Sequence, residues 1–328
     1  MMYGSRIIGT GAAVSDRVLT NADLEHVINT SDEWIVTRTG ISERRIASEN
    51  EATSDLAEHA ARRALEAASV DPLDVDLILL STVTPDMFFP STACVLQERL
   101  GAAHAAAFDL SAACSGFIYG LSVADAYLRA GLMRNILVIG AETLSKLVDW
   151  NDRATCVLFG DGAGAALVQR TTGESRVLST HLFADGSKGG LLIVPGGGSR
   201  HPVCQRVLDE NLVKIKMGNG NEVFKVAVRS MEEAALTALK ANGAEVSDID
   251  LFVPHQANAR IIYAMAQRLG LPKDRIVVNI DRFGNTSAAS IPMALDEAVR
   301  GGRLRAGNLL LLTAFGGGVT WGSALIRW

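Results

Sequence analysis

Three residues of this 328-residue chain are of types that could do chemistry together: Cys114 in DLSAACSGF, His255 in FVPHQAN and Asn285 in FGNTSAAS. A thiol flanked only by alanine, serine and glycine can be approached closely by another molecule, and small residues also let the backbone turn sharply. Both properties suit a nucleophile, whose reactive form is the thiolate. An imidazole and a carboxamide beside it would supply hydrogen bonds to an oxygen that gains charge. Taken singly, each residue has a plainer reading. A lone cysteine among small residues is more often a buried structural thiol. A histidine after a strand more often packs or faces solvent, and GN or NT is most often a turn. Their meaning depends on whether the fold brings them together.

The elements that would do so repeat. LAEHAARRALEAASVDPLDVDLILLS (56–81) and MEEAALTALKANGAEVSDIDLFVPHQ (231–256) superpose without a gap at an offset of 174, with 8 identities in the 18 positions from 60 to 77. ADAYLRAGLMRNILVIGAE (124–142) resembles LDEAVRGGRLRAGNLLLLTAF (295–315) at an offset of 171, Asp125 falling on Asp296. Two matches in the same order at nearly equal offsets point to duplication, with halves 1–172 and 173–328 meeting near the polar TTGES. Each half alternates Ala-rich helical patterns with continuous apolar runs such as LILLSTV and NLLLLTA, which fit strands covered on both faces by helices. The fold class expected is therefore α/β.

The duplication carries a geometrical expectation. At an offset of 171 Cys114 falls on Asn285, and at 174 Ser81 falls on His255. His255 then lies just past the C-terminal end of a buried strand, where open α/β sheets place ligands. Thiol, imidazole and carboxamide could share one pocket near a pseudo-two-fold axis.

The bulk properties narrow the classes. Hydrophobic residues make up 48% and charged ones 20%, with a net charge of −5, which argues against a general nucleic-acid binder. No apolar run approaches the roughly 18 residues of a membrane span, and MMYGSRIIGTGAAVSDR has no signal-peptide core. Cys94, Cys114, Cys156 and Cys204 are scattered without a CxxC pair, as expected of reduced cytoplasmic thiols and not of a disulfide framework or zinc site. FGDGAGAA (159–166) is not a full GxGxxG and has no acidic residue suitably placed downstream, so a tight turn is expected there. The Gly-, Ser- and Pro-rich stretch 186–222 reads as a long surface excursion.

SDEWIVTRTGI, AACSGF, FGDGAGAA, PHQAN, GNTSAAS and AFGGGVTWGSA occur in the order and spacing of β-ketoacyl-acyl-carrier-protein synthase III, the initiating condensing enzyme of type II fatty acid synthesis, and the resemblance covers essentially the whole chain. It implies the thiolase-like αβαβα fold of two duplicated halves, a homodimer, and a Cys114–His255–Asn285 catalytic set. Cys114 would attack an acyl-CoA thioester to give an acyl-enzyme, its pKa lowered from roughly 8.5 by a helix N-terminus. The backbone N–H groups of Cys114 and Gly317 would form the oxyanion hole. Malonyl-acyl-carrier protein would then lose CO₂ while His255 and Asn285 donate to its thioester oxygen, and the resulting carbanion would attack acyl-Cys114. No metal or redox cofactor is called for.

The same resemblance implies that Trp34 and Arg153 stack on the two faces of the CoA adenine. Arg38 and Thr30 would contact the nucleotide end, and Asn258 and Gly220 the pantetheine arm. Lys225, Arg260 and Arg268 would form a local basic patch for the acidic carrier protein. Phe89 would reach across the dimer interface into the partner's acyl pocket, favouring a short primer such as acetyl-CoA. KMGNGNEVF carries one residue more than some relatives, which makes Gly220 the least secure of these assignments. Two other classes compete. A thiolase-like relative in secondary metabolism would share the frame, but HMG-CoA synthase needs a Glu base that has no matching motif here. Elongating synthases use two histidines in place of one His and one Asn. A non-catalytic binding module would have no need of the complete Cys–His–Asn set.

Overall fold

The computed structural model describes residues 3–174 and 176–328. The first sheet contains β1 (Gly4–Ala13), β2 (Leu77–Ser81), β3 (Ala106–Leu110), β4 (Asn135–Glu142) and β5 (Gly162–Thr171), in the order β3-β2-β4-β5-β1. The second contains β6 (Arg176–Ala184), β7 (Leu251–Pro254), β8 (Leu309–Gly316) and β9 (Thr320–Arg327), in the order β7-β8-β9-β6. β2/β4 and β7/β8 are parallel pairs. β4/β5 and β8/β9 are antiparallel, as are β5/β1 and β9/β6. The parallel β3 edge of the first sheet has its counterpart in a single parallel bridge from Phe252 to Ile276. The strand order of one sheet is thus repeated in the other.

The helices that matter for the site are α1 (Asp32–Thr39), α2 (Thr53–Ala68), α3 (Gly116–Arg129), α4 (Gly220–Ala241), α5 (Ala259–Leu269) and α6 (Ser290–Arg300). α3 and α6 lie between the sheets, touching β4 and β9 or β5 and β7 respectively, while α2 covers the outside of the first sheet and α4 that of the second. This is a five-layered αβαβα stack. Leu77 and Leu79 of β2 face the central layer, while Ile78 and Leu80 face the outer one. That alternation explains the uninterrupted LILLS: both faces are buried, at about 2 kcal/mol for each large side chain. Ala60, Ala61, Ala64 and Leu65 of α2 and their matches Ala234, Ala235, Ala238 and Leu239 of α4 are all buried. No helix among the described residues is long and apolar enough to cross a membrane.

One expectation needs correction. Ala113 (φ 46°) and Ser287 (φ 50°) are both in the left-handed region, and each opens a single 3-10 turn, 113–115 and 287–289, that runs straight into α3 or α6. Their separation is 174, so Cys114 corresponds to Ala288 and not to Asn285. The offset of 171 applies only later in the helices, where Asp125 pairs with Arg129 as Asp296 pairs with Arg300. α3 has 14 residues and α6 has 11, and these three additional residues account for the change. Ser81 and His255 do correspond. The Ser81 hydroxyl donates to the Gly116 carbonyl at 2.8 Å, and His255 meets Ser290, the residue 174 beyond Gly116.

The small residues around Cys114 have a packing reason. A Cβ on Gly116 would lie 2.7 Å from Ser81 Cβ and 3.3 Å from Ala288 Cβ, and one on Gly140 would lie 2.1 Å from the Ala288 carbonyl oxygen. The two helix entrances meet at the midline with no room for a larger side chain.

Candidate active site

Cys114 is 6% exposed and sits in the 3-10 turn immediately before α3. Left-handed Ala113 holds it there, a conformation that costs a non-glycine residue about 1–3 kcal/mol and is maintained by its surroundings. The end of β8 presses on it from the other half: a Cβ on Gly316 would lie 2.6 Å from the Cys114 backbone nitrogen. Burial pushes the Cys114 thiol up to about 12, with Glu142 adding to the rise and Ser287 opposing it. Burial therefore opposes the lowering of the thiol pKa expected from the helix N-terminus.

His255 follows β7 directly and is 1% exposed. Burial pulls its pKa down to about 3, so its imidazole is neutral. Its Nδ1 lies 2.6 Å from Ser290 Oγ, which also accepts from the Gln256 backbone N–H at 3.3 Å. With its oxygen accepting from Gln256, the serine hydroxyl is placed to donate to Nδ1, which leaves the ring proton on Nε2 as a donor. Asn285 is fixed on three sides. Its N–H donates to the Leu158 carbonyl at 2.8 Å, its carbonyl accepts from Gly160 at 3.1 Å, and its Oδ1 accepts from the Ser287 N–H at 2.9 Å. With Oδ1 engaged, Nδ2 is the free end. FGDGAGAA, expected as a tight turn, is thus the backbone clamp of Asn285 and the start of β5.

A cavity of about 460 Å³ brings together Cys114, His255, Asn285, Gly317, Trp34, Arg38, Asn258, Gly220 and Arg260. A second, of about 840 Å³, also opens on Cys114 and Gly317 and is lined by apolar groups including Met87 and Phe88. Leu192 lines both. It belongs to a short strand, Leu192–Ile193, paired with Lys216–Met217, so part of the expected surface excursion is built structure roofing the site.

The remaining expected residues are placed as follows. The guanidinium carbons of Arg38 and Arg153 each lie 4.5 Å from the Trp34 ring centroid. Arg153 also donates to the Asn29 carbonyl at 2.9 Å. An adenine between Trp34 and Arg153 needs about 7 Å, two contacts of ~3.5 Å, so the expected slot is filled by Arg153 itself. Thr30 is not on the cavity wall, and its covered Oγ1 has no partner. Asn258 caps α5 by accepting from the Arg260 N–H and donates to the Arg38 carbonyl, so both ends of its amide are in use. Lys225 and Arg268 are exposed outside the cavity, and Arg268 pairs with Glu232. Phe89 is 85% exposed and lines neither cavity; its neighbours Met87 and Phe88 do, a role the sequence did not reveal. Ser287 and Ser290, which touch Asn285 and His255, were also missed. The strand-end spacing that led to His255 applies to Ser290 through Ser81 and Gly116 and could have found it.

Sequence models of the 3-oxoacyl-[acyl-carrier-protein] synthase III family match residues 108–186 and, for its C-terminal part, 239–328. A β-ketoacyl-[acyl-carrier-protein] synthase III of Alkalilimnicola ehrlichii is 58% identical over 328 residues, covering 100% of both chains. The chain belongs to the β-ketoacyl-[acyl-carrier-protein] synthase III family. A second synthase III, from Caldanaerobacter subterraneus subsp. tengcongensis, is 54% identical over 98% of this chain and 97% of its own. The crystal structure of the Aquifex aeolicus synthase III superposes with a TM-score of 0.93 at 51% identity, covering 99% of this chain and 100% of that one. Membership in the synthase III family makes the chain an acyltransferase-type condensing enzyme with the thiolase-like fold.

Proposed function

We propose that this protein condenses an acyl-CoA primer, acetyl-CoA first among them, with malonyl-acyl-carrier protein to give β-ketoacyl-acyl-carrier protein, CoA and CO₂, initiating fatty acid synthesis. The observation that carries the reading is the convergence of Cys114, two neutral donors and Gly317 on one cavity leading out to Trp34. In the first half-reaction the Cys114 sulfur attacks the thioester carbon, the oxygen draws on the backbone N–H groups of Cys114 and Gly317, and the CoA sulfur leaves. In the second, His255 Nε2–H and Asn285 Nδ2–H take up the charge on the malonyl thioester oxygen as CO₂ departs. The carbanion then attacks the acyl carbon and frees Cys114. Neutral donors suit this step because neither must lose a proton to hold an enolate. Written this way, the chemistry requires no metal or redox cofactor.

Halves 1–172 and 173–328 divide the labour, the first carrying the nucleophile and the second the donors. The exposed run Met87–Phe88–Phe89 beside the larger cavity supports a homodimer in which Phe89 shortens the partner's acyl pocket. Arg153 swings off Trp34 to admit the adenine, while Thr30 and Arg38 meet the nucleotide and Asn258 and Gly220 the pantetheine. Lys225, Arg260 and Arg268 serve the carrier protein, and the enzyme works in the cytoplasm. The test is incubation with a panel of acyl-CoAs and weighing of the intact protein beside its Cys114→Ala variant. A gain of one acyl group on wild type only supports the reading and names the primer. No gain from any CoA thioester overturns it.

A further inference from the structure

Glu142 ends β4 with no exposed surface. Its Oε2 accepts from Thr84 Oγ1 at 2.7 Å, the Val83 N–H at 3.0 Å and Thr82 Oγ1 at 3.1 Å. Oε1 is covered and has no partner. Ser287 Oγ is likewise covered and has no partner. Its turn packs against both β4 and the turn that carries Cys114, and it lines the same cavity as Cys114; from there it favours the charged form of the thiol and of the Glu142 carboxyl. A buried polar atom left unsatisfied costs about 1–3 kcal/mol. Two such atoms beside a buried nucleophile have no packing rationale, but they have a chemical one. The thiol must lose a proton to react, and His255 has its Nδ1 occupied by Ser290.

We propose that Glu142 holds the Cys114 thiol proton during acyl transfer, taking it through the Ser287 hydroxyl. The inference rests on Cys114 being the acylated nucleophile. As the sulfur bonds to the thioester carbon, its proton passes to Ser287 Oγ while the serine proton passes to Glu142 Oε1. When the bond to the CoA sulfur breaks, Glu142 returns a proton to Ser287 Oγ and the serine proton passes to the departing CoA sulfur, leaving acyl-Cys114, free CoA thiol and ionised Glu142. Glu142 acts on the thiol only through Ser287, so it is a positioning residue.

Burial raises Glu142 to about 7, which puts its proton exchange at neutral pH. Cys114 faces Glu142 from the turn before α3, Ser287 from the turn before α6, and Thr82, Thr84 and Val83 from the end of β2. Asp161, next to its β5 partner Gly162, is held by Ser145 and the Ala47 N–H, and Lys146 is bound to the carbonyls of Glu49 and Glu51.

The experiment is alkylation of the full-length protein by iodoacetamide between pH 5.5 and 9. Cys114 is read by peptide mass, because Cys94 and Cys204 are exposed. Wild type is expected to show a rise in rate near neutrality, as Glu142 ionises and can accept the proton. Glu142→Gln is expected to alkylate at least tenfold more slowly at pH 7.5 and to lose that rise, and Glu142→Asp to recover part of both. Ser287→Ala is expected to slow the reaction alike, with the double variant no slower than the slower single. A Glu142→Gln rate equal to or above wild type overturns the proposal, because Glu142 would then be only a charge opposing the thiolate. Where Glu142→Gln fails to fold, an unchanged rate and profile in Ser287→Ala overturns it and a slowed, flattened one supports it. Acylation by acetyl-CoA is followed in parallel. A wild type that alkylates but is never acylated defeats the acyl-CoA reading, and the alkylation profile still decides the relay.

Discussion

The Ser287 backbone N–H donates to Asn285 Oδ1 at 2.9 Å, and this bond decides which end of the Asn285 amide faces the cavity. Only Nδ2 remains to donate to a substrate oxygen. Asn285→Asp keeps the acceptor and removes the donor, placing negative charge where the proposed mechanism forms an enolate. Acyl transfer to Cys114 should survive within a few-fold, while CO₂ release from malonyl-carrier protein should fall by about 100-fold or more, in line with the loss of one oxyanion donor. Quenched-flow mass measurement of the acyl-enzyme beside labelled CO₂ release separates the two half-reactions.

Ser290 sets the His255 tautomer as Ser287 sets the Asn285 amide. Ser290→Ala removes the hydroxyl that donates to Nδ1, so the ring proton can move to Nδ1 and leave Nε2 an acceptor. The condensation step should slow by roughly tenfold, the equivalent of about 1.4 kcal/mol, with the acylation step unchanged. Steady-state kcat for condensation, compared with the single-turnover acylation rate, checks this.

Arg153 is stacked on Trp34, so an adenine bound there as proposed would have to compete with a guanidinium. Trp34→Ala should raise KM for acetyl-CoA by about tenfold, a stacking contribution of ~1–2 kcal/mol. KM for an acyl thioester truncated to pantetheine, which has no adenine, should not change. Equal losses for both substrates would place Trp34 in the scaffold and not in CoA binding.

Glu142 also leaves a signature in stability. Its folded pKa is raised to about 7 from 4.5, so its favourable contribution is full below pH 4.5 and is lost as pH rises through about 7. His255 runs the other way: lowered to about 3 from 6.5, it favours folding above pH 6.5 and costs stability as pH falls toward 3. Glu142→Gln removes the first effect and leaves the second. Its melting temperature relative to wild type should therefore increase between pH 5 and pH 8, by the equivalent of on the order of 2–3 kcal/mol. A difference that stays flat across that range would mean that burial does not raise the carboxyl and that it is already ionised at pH 5 in the folded protein.

Gly316→Ala tests the seating of the nucleophile, because the new methyl would fall 2.6 Å from the Cys114 backbone nitrogen. The turn at Cys114 must shift to admit it. The variant should fold, melt several degrees lower, and lose acylation by at least tenfold, as intact mass after a timed acetyl-CoA pulse would register.

Much of this arrangement is written in local pattern. The Ala60–Leu65 and Ala234–Leu239 matches mark α2 and α4 because small residues on one helical face are what close packing on a sheet demands. The runs LILLS and LLLLTA are strands because both of their faces are covered. Cys114, His255 and Asn285 stand out because their side chains have few packing uses at strand and helix ends. What the pattern could not carry was anything set by a change of register. The longer α3 made an offset of 171 look applicable at Cys114, when the helix entrances obey 174. Glu142 and Ser287 were invisible for a different reason. A glutamate closing a strand and a serine in a small-residue run are unremarkable until the fold sets them beside one thiol. Desolvation of Cys114 is equally a property of the assembled layers and of no short stretch of sequence.

The two cavities meet at Cys114, one leading to Trp34 and the other into apolar surroundings. A thioester threaded through that junction has its carrier arm on one side and its acyl chain on the other, so the acyl group need not turn over when it changes partner. Both arms would reach Cys114 through the same cavity of about 460 Å³. Spent CoA must clear it before the second donor's arm can enter, and traffic through the site is alternating by construction. Free CoA should accordingly compete with malonyl-carrier protein for the loaded enzyme, and the balance of the two pools would throttle flux without any separate regulatory site.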